Sequence, residues 1–336
     1  MAWEMGNEPD LFTGKRRPND YSVDQYLSEW FNATDRFQNY LQTACPDMAN
    51  DVKYIFPSVS SPGSRLRAPD MFAKGGDKLR AVSQISVHNY MGGATQPGVT
   101  LQSTLMNHTA VERSIGGHVN YAKSISVSSG ADYTIGEQNS LYGGGAAGLS
   151  DVFGAALWGM DFALYAASTG VIKRVHFHQS IGSPYAAWAP GAAEPATKPP
   201  YYGQLAAATF LANSAQLQVK TLQLGEKDFD SGYAAYRRGR LVRLAAINLR
   251  EFDGGERGSK TYTVNARPFS RWTVKRLSAQ SAKAQTGITF NGVAYEAASV
   301  GKGVRVAGRE CDQVAWADAR GRLTFTVADS EAVVLV

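Results

Sequence analysis

The sequence predicts an α/β region over residues 1–215, followed by an all-β domain of antiparallel sandwich type over residues 216–336. In the first part, strand-like and helix-like segments alternate, which is typical of βα units around a parallel sheet. In the second part, short segments alternate apolar and polar residues between turn signals, which is typical of an antiparallel sandwich. The 336 residues, 44% of them hydrophobic, suffice to bury one large core or two smaller ones.

Five strands and at least four helices are predicted in the first part. The strands cover residues 1–8, 52–59, 81–90, 133–137 and 171–179. The first long helix begins at Ser22, because Ser22 and Gln25 have the sequence of a capping box, and it ends at Pro46. Further helical segments cover residues 71–79, 109–126, 151–168 and 202–212. We expect the helix over 151–168 to be capped by Ser150 and to end at Gly170.

The alternating pattern of the second part predicts strands over residues 241–249, 260–264, 272–277, 287–290 and 323–336. The net charge of +5 comes from basic residues spread along the whole length, which disfavours a nucleic-acid-binding stripe. The longest apolar runs stay below the roughly 20 residues that a bilayer requires, so no membrane partner is expected.

The cysteine and asparagine patterns indicate whether the protein is secreted or intracellular. Cys45 and Cys311 fit neither a metal motif nor a dense disulfide framework, and a bridge between them remains an open alternative. Asn32 and Asn107 each begin an Asn-x-Thr sequon, which is used only in a secreted protein. The sequons favour an extracellular location for the full-length protein.

Two glutamates stand at the carboxyl ends of predicted parallel strands: Glu8 and Glu137. In a (β/α)8 barrel that edge carries the catalytic side chains. A retaining glycosidase needs two carboxyl groups about 5 to 5.5 Å apart, one ionised as nucleophile and one protonated as acid. Taken singly, either residue could also be a solvated loop position.

The residues around these glutamates resemble a known family. Gly6-Asn7-Glu8-Pro9-Asp10 resembles the Asn-Glu-Pro acid/base motif of the large clan of retaining (β/α)8 glycosidases. Residues 136–140 resemble the nucleophile strand of glycoside hydrolase family 79, which holds β-glucuronidases and heparanase. The resemblance continues through residues 87–90, 141–145, 150–158 and 182–185 and into the terminal sandwich.

The resemblance implies a role for each matching residue. Glu8 is the acid/base, Glu137 is the nucleophile, and Asn7 hydrogen-bonds the sugar 2-hydroxyl. Tyr90 hydrogen-bonds the nucleophilic carboxylate. The residues that bind the C6 carboxylate of glucuronic acid are Tyr142, Gly144, Gly145 and Tyr185. The implied partner is a glucuronic-acid-containing carbohydrate, and no cofactor is required.

The resemblance also implies a specific fold. The five predicted strands match the fourth to eighth strands of a (β/α)8 TIM-barrel-type catalytic domain, so the chain lacks the first three βα units and continues into the β-sandwich. We therefore expect the isolated chain to be poorly folded or inactive, because an open half-barrel exposes edge strands and apolar interior. The alternative function is that of a truncated inactive homologue serving as a carbohydrate-binding or interaction module.

Two rival patterns point to other chemistry. Residues 143–148 satisfy G-x-G-x-x-G between a strand and a helix, with Asp161 downstream, as in a dinucleotide site. Five residues separate this loop from the strand, and the strand ends in the negative charge of Glu137, which would repel phosphate. His176 and His178 share one strand face, as zinc ligands do, but no third ligand stands nearby. No Gly-x-Ser-x-Gly elbow is present.

Overall fold

The computed structural model describes residues 2–126, 130–190, 196–212 and 216–336. Its first sheet has five strands in the spatial order β1-β2-β3-β4-β5, and β1–β2, β2–β3 and β4–β5 pair in parallel. These strands are β1 (Ala2–Glu4), β2 (Lys53–Val59), β3 (Val82–Gly93), β4 (Asp132–Tyr142) and β5 (Ile172–Phe177). All five predicted strands are therefore present and follow one another across the sheet, as in a βα barrel.

Helices connect these strands and follow the last of them. They are α1 (Val23–Ala44), α2 (Pro46–Ala49), α3 (Ala68–Ala73), α4 (His108–Lys123), α5 (Phe153–Ser168) and α6 (Pro199–Leu211). Short 3-10 turns cover Pro9–Phe12 and Ala297–Ser299, and a π-helical turn covers Leu101–Leu105. The capping box at Ser22 and Gln25 is confirmed, with both reciprocal hydrogen bonds present.

The remaining strands pair in antiparallel fashion, as predicted for the β domain. A small ribbon pairs β6 (Trp188–Ala189) with β7 (Ala196–Thr197). The main sheet has the order β15-β14-β13-β12-β18-β10-β9-β8, with β16 also on β12, and a second layer pairs β11 with β17. The strands are β8 (Leu217–Thr221), β9 (Asp230–Arg237), β10 (Arg240–Asn248), β11 (Ser259–Asn265), β12 (Arg271–Ser278), β13 (Thr289–Phe290), β14 (Val293–Ala294), β15 (Val304–Arg305), β16 (Gln313–Trp316), β17 (Arg322–Ala328) and β18 (Glu331–Leu335).

The chain forms two compact units. The first contains the residues up to Asn89, Gly116–Gln138 and Val171–Phe177, and the second contains Tyr90–Ile115, Asn139–Gly170 and His178–Val336. This division differs from the predicted boundary after residue 215, because α5 and α6 pack on each other and on strands of the second unit. Both helices are apolar on all faces, so each can pack against other elements on every side.

The first unit has an aromatic core beneath its sheet. Phe56, fully buried on β2, stacks with Tyr26 and contacts Trp30 of α1 at ring-centroid distances of 5.9 and 4.5 Å. Phe72 of α3 meets Phe56 edge-on at 5.5 Å. The helical spacing of Tyr26 and Trp30 thus places one face of α1 on β2, as the sequence pattern predicts.

The second unit buries a carboxylate. Asp161 on α5 is fully buried and accepts hydrogen bonds from the hydroxyls of Tyr233, at 2.6 Å, and Ser231. His108 Nδ1 lies 2.9 Å from an Asp161 oxygen. Burial lowers the pKa of His108, but Asp161 and the more distant Glu112 outweigh burial, so this pKa lies above its usual value. The network joins α4, α5 and β9.

Three further observations concern the whole described chain. Cys45 and Cys311 are both free thiols, so the bridge left open by the sequence does not form here. Gly170, with φ of +67°, follows the end of α5 as predicted. Among the described residues, no helix combines the length and apolar character needed to cross a bilayer.

Two helical glycines provide a matched test of the packing. A Cβ at Gly203 of α6 would overlap the Ala156 carbonyl of α5, whereas a Cβ at Gly117 of α4 meets nothing within 4 Å. We expect Gly203→Ala to lower the free energy of unfolding by about 1–3 kcal/mol or more, and Gly117→Ala to raise it by about 0.5–1 kcal/mol. Urea denaturation of both variants checks the prediction, and equal effects would contradict it.

Candidate functional site

Glu8 lies on a turn after β1. The strand ends at Glu4, so the prediction that it reaches Glu8 was wrong. Its backbone is left-handed, with φ 48° and ψ 55°, and it precedes the 3-10 turn Pro9–Phe12. Proline suits the first position of such a turn because it has no N–H to leave unpaired. The residues Glu8-Pro9 therefore turn the chain sharply where the carboxylate is presented.

The turn is fixed by residues at the end of β2. The Glu8 amide donates to the Ser58 carbonyl at 2.8 Å. Asp10, which is buried, accepts from the Ser60 amide at 3.0 Å and from the Ser60 hydroxyl. Burial raises the pKa of Asp10, while the Ser60 hydrogen bonds act in the opposite direction. These bonds hold Glu8 at one edge of the sheet.

Glu137 lies inside β4, which continues to Tyr142 instead of ending at residue 137 as predicted. The register between β4 and β5 shifts between Ile135 and Gln138. Such irregularities re-aim side chains and are frequent next to active sites. A Cβ at Gly136 would collide with the Ser86 hydroxyl of β3, so glycine permits the close approach of β3 and β4 beside Glu137.

The side chain of His88 lies between the two glutamates. Its Nδ1 is 2.9 Å from Glu8 Oε1 and 3.9 Å from Glu137 Oε2. The His88 side chain is 1% exposed, whereas the two carboxylates are 23% and 21% exposed. One ligand atom from each of the three residues lies within 4.8 Å of the other two. The structure thus brings together the two glutamates that the sequence singled out, and adds an imidazole.

This arrangement can perform acid/base and nucleophilic chemistry. Two carboxyl groups at this spacing can share the roles of proton donor and nucleophile, and a buried imidazole can orient one of them. Among the described residues, the same three side chains also form the group that could hold a divalent cation. That group contains neither His176 nor His178, the two candidates for zinc in the sequence.

His88 was not among the site residues predicted from the sequence. A signal was available, because residues two apart on a strand share a face. His88 is two residues before Tyr90 on β3, and Tyr90 was assigned to the site. Extending the assignment backward along the strand face would have included His88.

A second histidine lies behind the first. His118 Nε2 is 3.1 Å from Asn89 Oδ1, and its Nδ1 is 2.9 Å from the Tyr133 hydroxyl. Burial, followed by the neighbouring His88, lowers the pKa of His118 to about 4. The neutral ring therefore donates from Nε2 to Asn89 and accepts the Tyr133 hydroxyl proton at Nδ1.

The second unit brings together three of the predicted tyrosines. The hydroxyls of Tyr90 and Tyr185 lie 3.2 and 3.1 Å from His178 Nδ1. Tyr142, which is 56% exposed, meets Tyr90 edge-on with ring centroids 6.5 Å apart. Asn139 anchors the group by donating to the carbonyls of His178, at 3.0 Å, and Tyr185, at 3.3 Å. His178 was not predicted as a member of this cluster.

The glycine loop after β4 is left-handed at three consecutive residues. Gly143, Gly144 and Gly145 have φ of 84°, 88° and 85°, a region that favours glycine. A Cβ at Gly145 would lie 3.0 Å from the Ser150 side chain and 3.1 Å from the Tyr185 ring. Within the described part of the chain, neither the Gly144 nor the Gly145 amide donates a hydrogen bond. Both amides are therefore available to an anion.

The loop does not open α5 as a dinucleotide fingerprint requires. Gly148 is followed by four residues before α5 begins at Phe153. The Phe153 and Gly154 amides donate to the carbonyls of Ala284 and Ala282, at 2.9 and 2.8 Å. Because these amides at the helix N-terminus are already bonded, they do not form a phosphate site.

The predicted cap of α5 was wrong. Val152 occupies the N-cap position, and the Ser150 hydroxyl accepts from the Ala146 amide at 3.0 Å instead. The remaining predicted residue, Asn7, is exposed next to Glu8. Its contact with a sugar hydroxyl and the contact of Tyr90 with Glu137 remain predictions.

Comparisons with known proteins find similarity to glycosidases. Residues 232–334 match the glycosyl hydrolase family 79 C-terminal beta domain. A β-glucuronidase of Aspergillus niger is 42% identical over 318 residues, covering 87% of this chain and 58% of the relative. A β-glucuronidase of Neurospora crassa is 38% identical over 341 residues, covering 88% and 61%. The chain thus spans about three fifths of the length of these curated relatives.

Solved structures show the fold that the chain shares. A 4-O-α-L-rhamnosyl-β-D-glucuronidase from Fusarium oxysporum 12S has a TM-score of 0.80 at 22% identity, covering 100% of this chain and 70% of that one. An α-L-arabinofuranosidase from Thermotoga maritima has a TM-score of 0.64 at 12% identity, covering 99% and 65%. These similarities support an α/β barrel fold followed by a β domain, as the sequence predicts.

The depressed pKa of His118 predicts how stability depends on pH. The unfolded chain binds a proton at His118 near pH 6.5, but the folded chain binds it only near pH 4. Stability is therefore lost as the pH falls through this window. We expect His118→Gln to remove up to about 3 kcal/mol of the wild-type loss between pH 7 and pH 4.5. Urea denaturation at both pH values checks this, with the exposed His176→Gln as control.

Proposed function

We propose that this chain is a member of glycoside hydrolase family 79 and carries the catalytic pair of a retaining β-glucuronidase, with Glu8 as acid/base and Glu137 as nucleophile. One observation carries this proposal: carboxylate oxygens of the two residues lie within 4.8 Å of each other. Retaining enzymes hold their carboxyl groups about 5 to 5.5 Å apart, whereas inverting enzymes leave about 6.5 to 9.5 Å for a water. The relatives named β-glucuronidase support a β-linked glucuronide as substrate.

The reaction proceeds in two displacements. A Glu137 oxygen attacks the anomeric carbon while the bond to the leaving oxygen breaks, and Glu8 gives its proton to that oxygen. The aglycone leaves as an alcohol, and the sugar remains as an ester of Glu137. Glu8, now a carboxylate, takes a proton from water as the water oxygen attacks the anomeric carbon. The ester bond breaks, Glu137 is released as a carboxylate, and the β configuration is retained.

His88 acts as a positioning residue in this scheme. Nδ1 of its buried imidazole is within hydrogen-bonding distance of Glu8 Oε1, at 2.9 Å, but lies 3.9 Å from Glu137 Oε2. It therefore holds the acid more closely than the nucleophile. A catalytic group must be held within a fraction of an ångström of its productive position.

The sugar contacts complete the proposal. Tyr142, Gly144, Gly145 and Tyr185 bind the C6 carboxylate, and Asn7 binds the 2-hydroxyl. The two available amides of the glycine loop support an anion site, since convergent backbone N–H groups bind anions without a charged side chain. The proposed reaction uses no cofactor, and we place the full-length protein outside the cell.

Mechanism-based labelling tests the nucleophile without depending on turnover. A 2-deoxy-2-fluoro-β-glucuronide with a 2,4-dinitrophenyl leaving group reacts with the nucleophile, and the fluorine slows hydrolysis of the resulting ester. We expect mass spectrometry to locate one label on Glu137 in the wild-type protein. Glu8→Gln should still be labelled, because dinitrophenolate leaves without a proton. Glu137→Gln should not be labelled.

Glu29→Gln, which changes a glutamate of the same unit outside the catalytic pair, is the matched control and should be labelled like the wild type. A label on any other residue, or in Glu137→Gln, overturns the nucleophile assignment. If glucuronide binds but no variant is labelled, the alternative of a carbohydrate-binding module replaces the catalytic proposal for this chain.

Substitution of His88 should affect the acid step most. We expect His88→Gln to lower the turnover of phenyl β-glucuronide about 10²-fold, because a misplaced acid protonates the leaving oxygen poorly. Turnover of the 2,4-dinitrophenyl glucuronide, which needs no acid to leave, should fall less than tenfold in the same variant. His176→Gln is the control. Equal losses with both substrates would show that His88 does not act through Glu8.

A further inference from the structure

The hairpin between β9 and β10 is strongly basic. Four of the seven residues from 237 to 243 are arginine. The register of the hairpin places Arg237 directly opposite Arg240. Like charges directly opposite each other destabilise an antiparallel pair. This arrangement therefore has a cost in stability that a purely structural hairpin would avoid.

The turn of the same hairpin breaks a second local rule. Arg238 has φ of 51° and Gly239 has φ of 74°, so both central residues are left-handed. Such turns favour asparagine or glycine at the first position, because other side chains are strained there. Local rules broken without a compensating structural gain are expected at functional sites.

A pocket of about 410 Å³ lies beside this hairpin, lined by the first residues of β10 and β12. Three arginines line it: Arg240, Arg267 and Arg271. The apolar part of its lining includes Leu241 and Trp272. Its volume is within the roughly 300–1,000 Å³ range typical of small-molecule sites.

The guanidinium groups of the three arginines have no partner among the described residues, since none of them forms an ion pair or donates a hydrogen bond there. Two other arginines of the same unit form ion pairs. Arg250 bonds Asp230 at 2.5 Å, and Arg276 bonds Glu331 at 2.7 Å. Three unpaired guanidinium groups around one pocket therefore make an uncompensated positive site.

The neighbouring acidic side chain does not offset this charge. Asp318, whose carbonyl accepts from the Phe269 amide, bonds Arg322 at 2.7 Å and is thus already neutralised. Trp316 of β16 is 61% exposed and lies directly opposite Arg271 of β12. An exposed aromatic ring offers a flat apolar surface on which the face of a pyranose ring can pack.

We propose that this arginine pocket binds uronate residues of an acidic polysaccharide. Each guanidinium presents a planar fork that matches a carboxylate in a bidentate contact. The aromatic and apolar lining suits the sugar ring that bears the carboxylate. The choice of a uronate polymer over other polyanions rests on the proposed glucuronidase function, whereas the pocket itself contains neither Glu8 nor Glu137.

The test measures binding of a fluorescent oligogalacturonate hexamer by anisotropy, in a Glu137→Gln background that prevents turnover. We expect the triple variant Arg240→Gln/Arg267→Gln/Arg271→Gln to bind at least tenfold more weakly than its parent. The matched control Lys220→Gln/Lys302→Gln/Arg309→Gln, which removes the same charge from exposed positions outside this pocket, should bind within twofold of the parent. Replacing the three arginines by lysine should give intermediate affinity, because the charge remains but the fork is lost.

Other readouts separate this site from the catalytic pair and from misfolding. With Glu137 restored, the triple glutamine variant should hydrolyse 4-nitrophenyl β-glucuronide at the wild-type rate. If no protein hydrolyses it, the proposed function fails, but the binding comparison still tests the pocket. Arg240→Gln alone should melt no lower than the wild type, since it removes the repulsion with Arg237, and yet bind the hexamer more weakly.

Three results would overturn the proposal. The first is an equal loss of binding in the control and pocket variants. The second is unchanged binding in all the pocket variants. The third is binding of dextran sulfate or duplex DNA that is as tight as that of the hexamer and equally reduced by the pocket variants, which would show a general polyanion surface.

Discussion

The hydrogen bond from the Glu8 amide to the Ser58 carbonyl fixes the turn after β1 to the end of β2, and the candidate site depends on it. Glu8 follows β1 and Glu137 lies on β4. These two strands are three positions apart in the sheet, which corresponds to about 14 Å of backbone separation at the usual strand spacing. Side chains stand roughly perpendicular to a sheet. Carboxylate oxygens within 4.8 Å of each other therefore require the sheet to curve and the turn to be held inward.

The intervening strand supplies the group that links the carboxylates. His88 is almost fully buried, so every polar atom around it must be satisfied or the site loses stability. Behind it, the neutral His118 bonds Asn89 and Tyr133. The neutral ring of His118 places no positive charge behind the site. The hydrogen bond between His88 and Glu8 thus lies in front of a second buried network that is already bonded internally.

Charged groups in the second unit are used in two different ways. Some are buried and fully bonded, as Asp161 is with Tyr233 and His108, and these tie helices to strands. Others, such as Arg240 and Arg271 at the rim of the arginine pocket, have guanidinium groups with no partner in the described part of the chain. A buried unpaired charge would be far more costly than an exposed one. The exposed arginines can therefore be kept for an external anion at a small cost in stability.

The sequence by itself determined the features that depend on neighbouring residues. The capping box at Ser22, the helical face of Tyr26 and the paired motifs around Glu8 and Glu137 all rest on contacts or patterns within a few positions. Only the tertiary structure decided which distant residues complete them. In the structure, His88 contacts Glu8, Val152 instead of Ser150 occupies the N-cap position of α5, and β4 extends beyond Glu137. The physical reason is that strand register, sheet curvature and burial arise from contacts between residues far apart in the chain. A pattern within a few neighbouring residues does not predict those contacts.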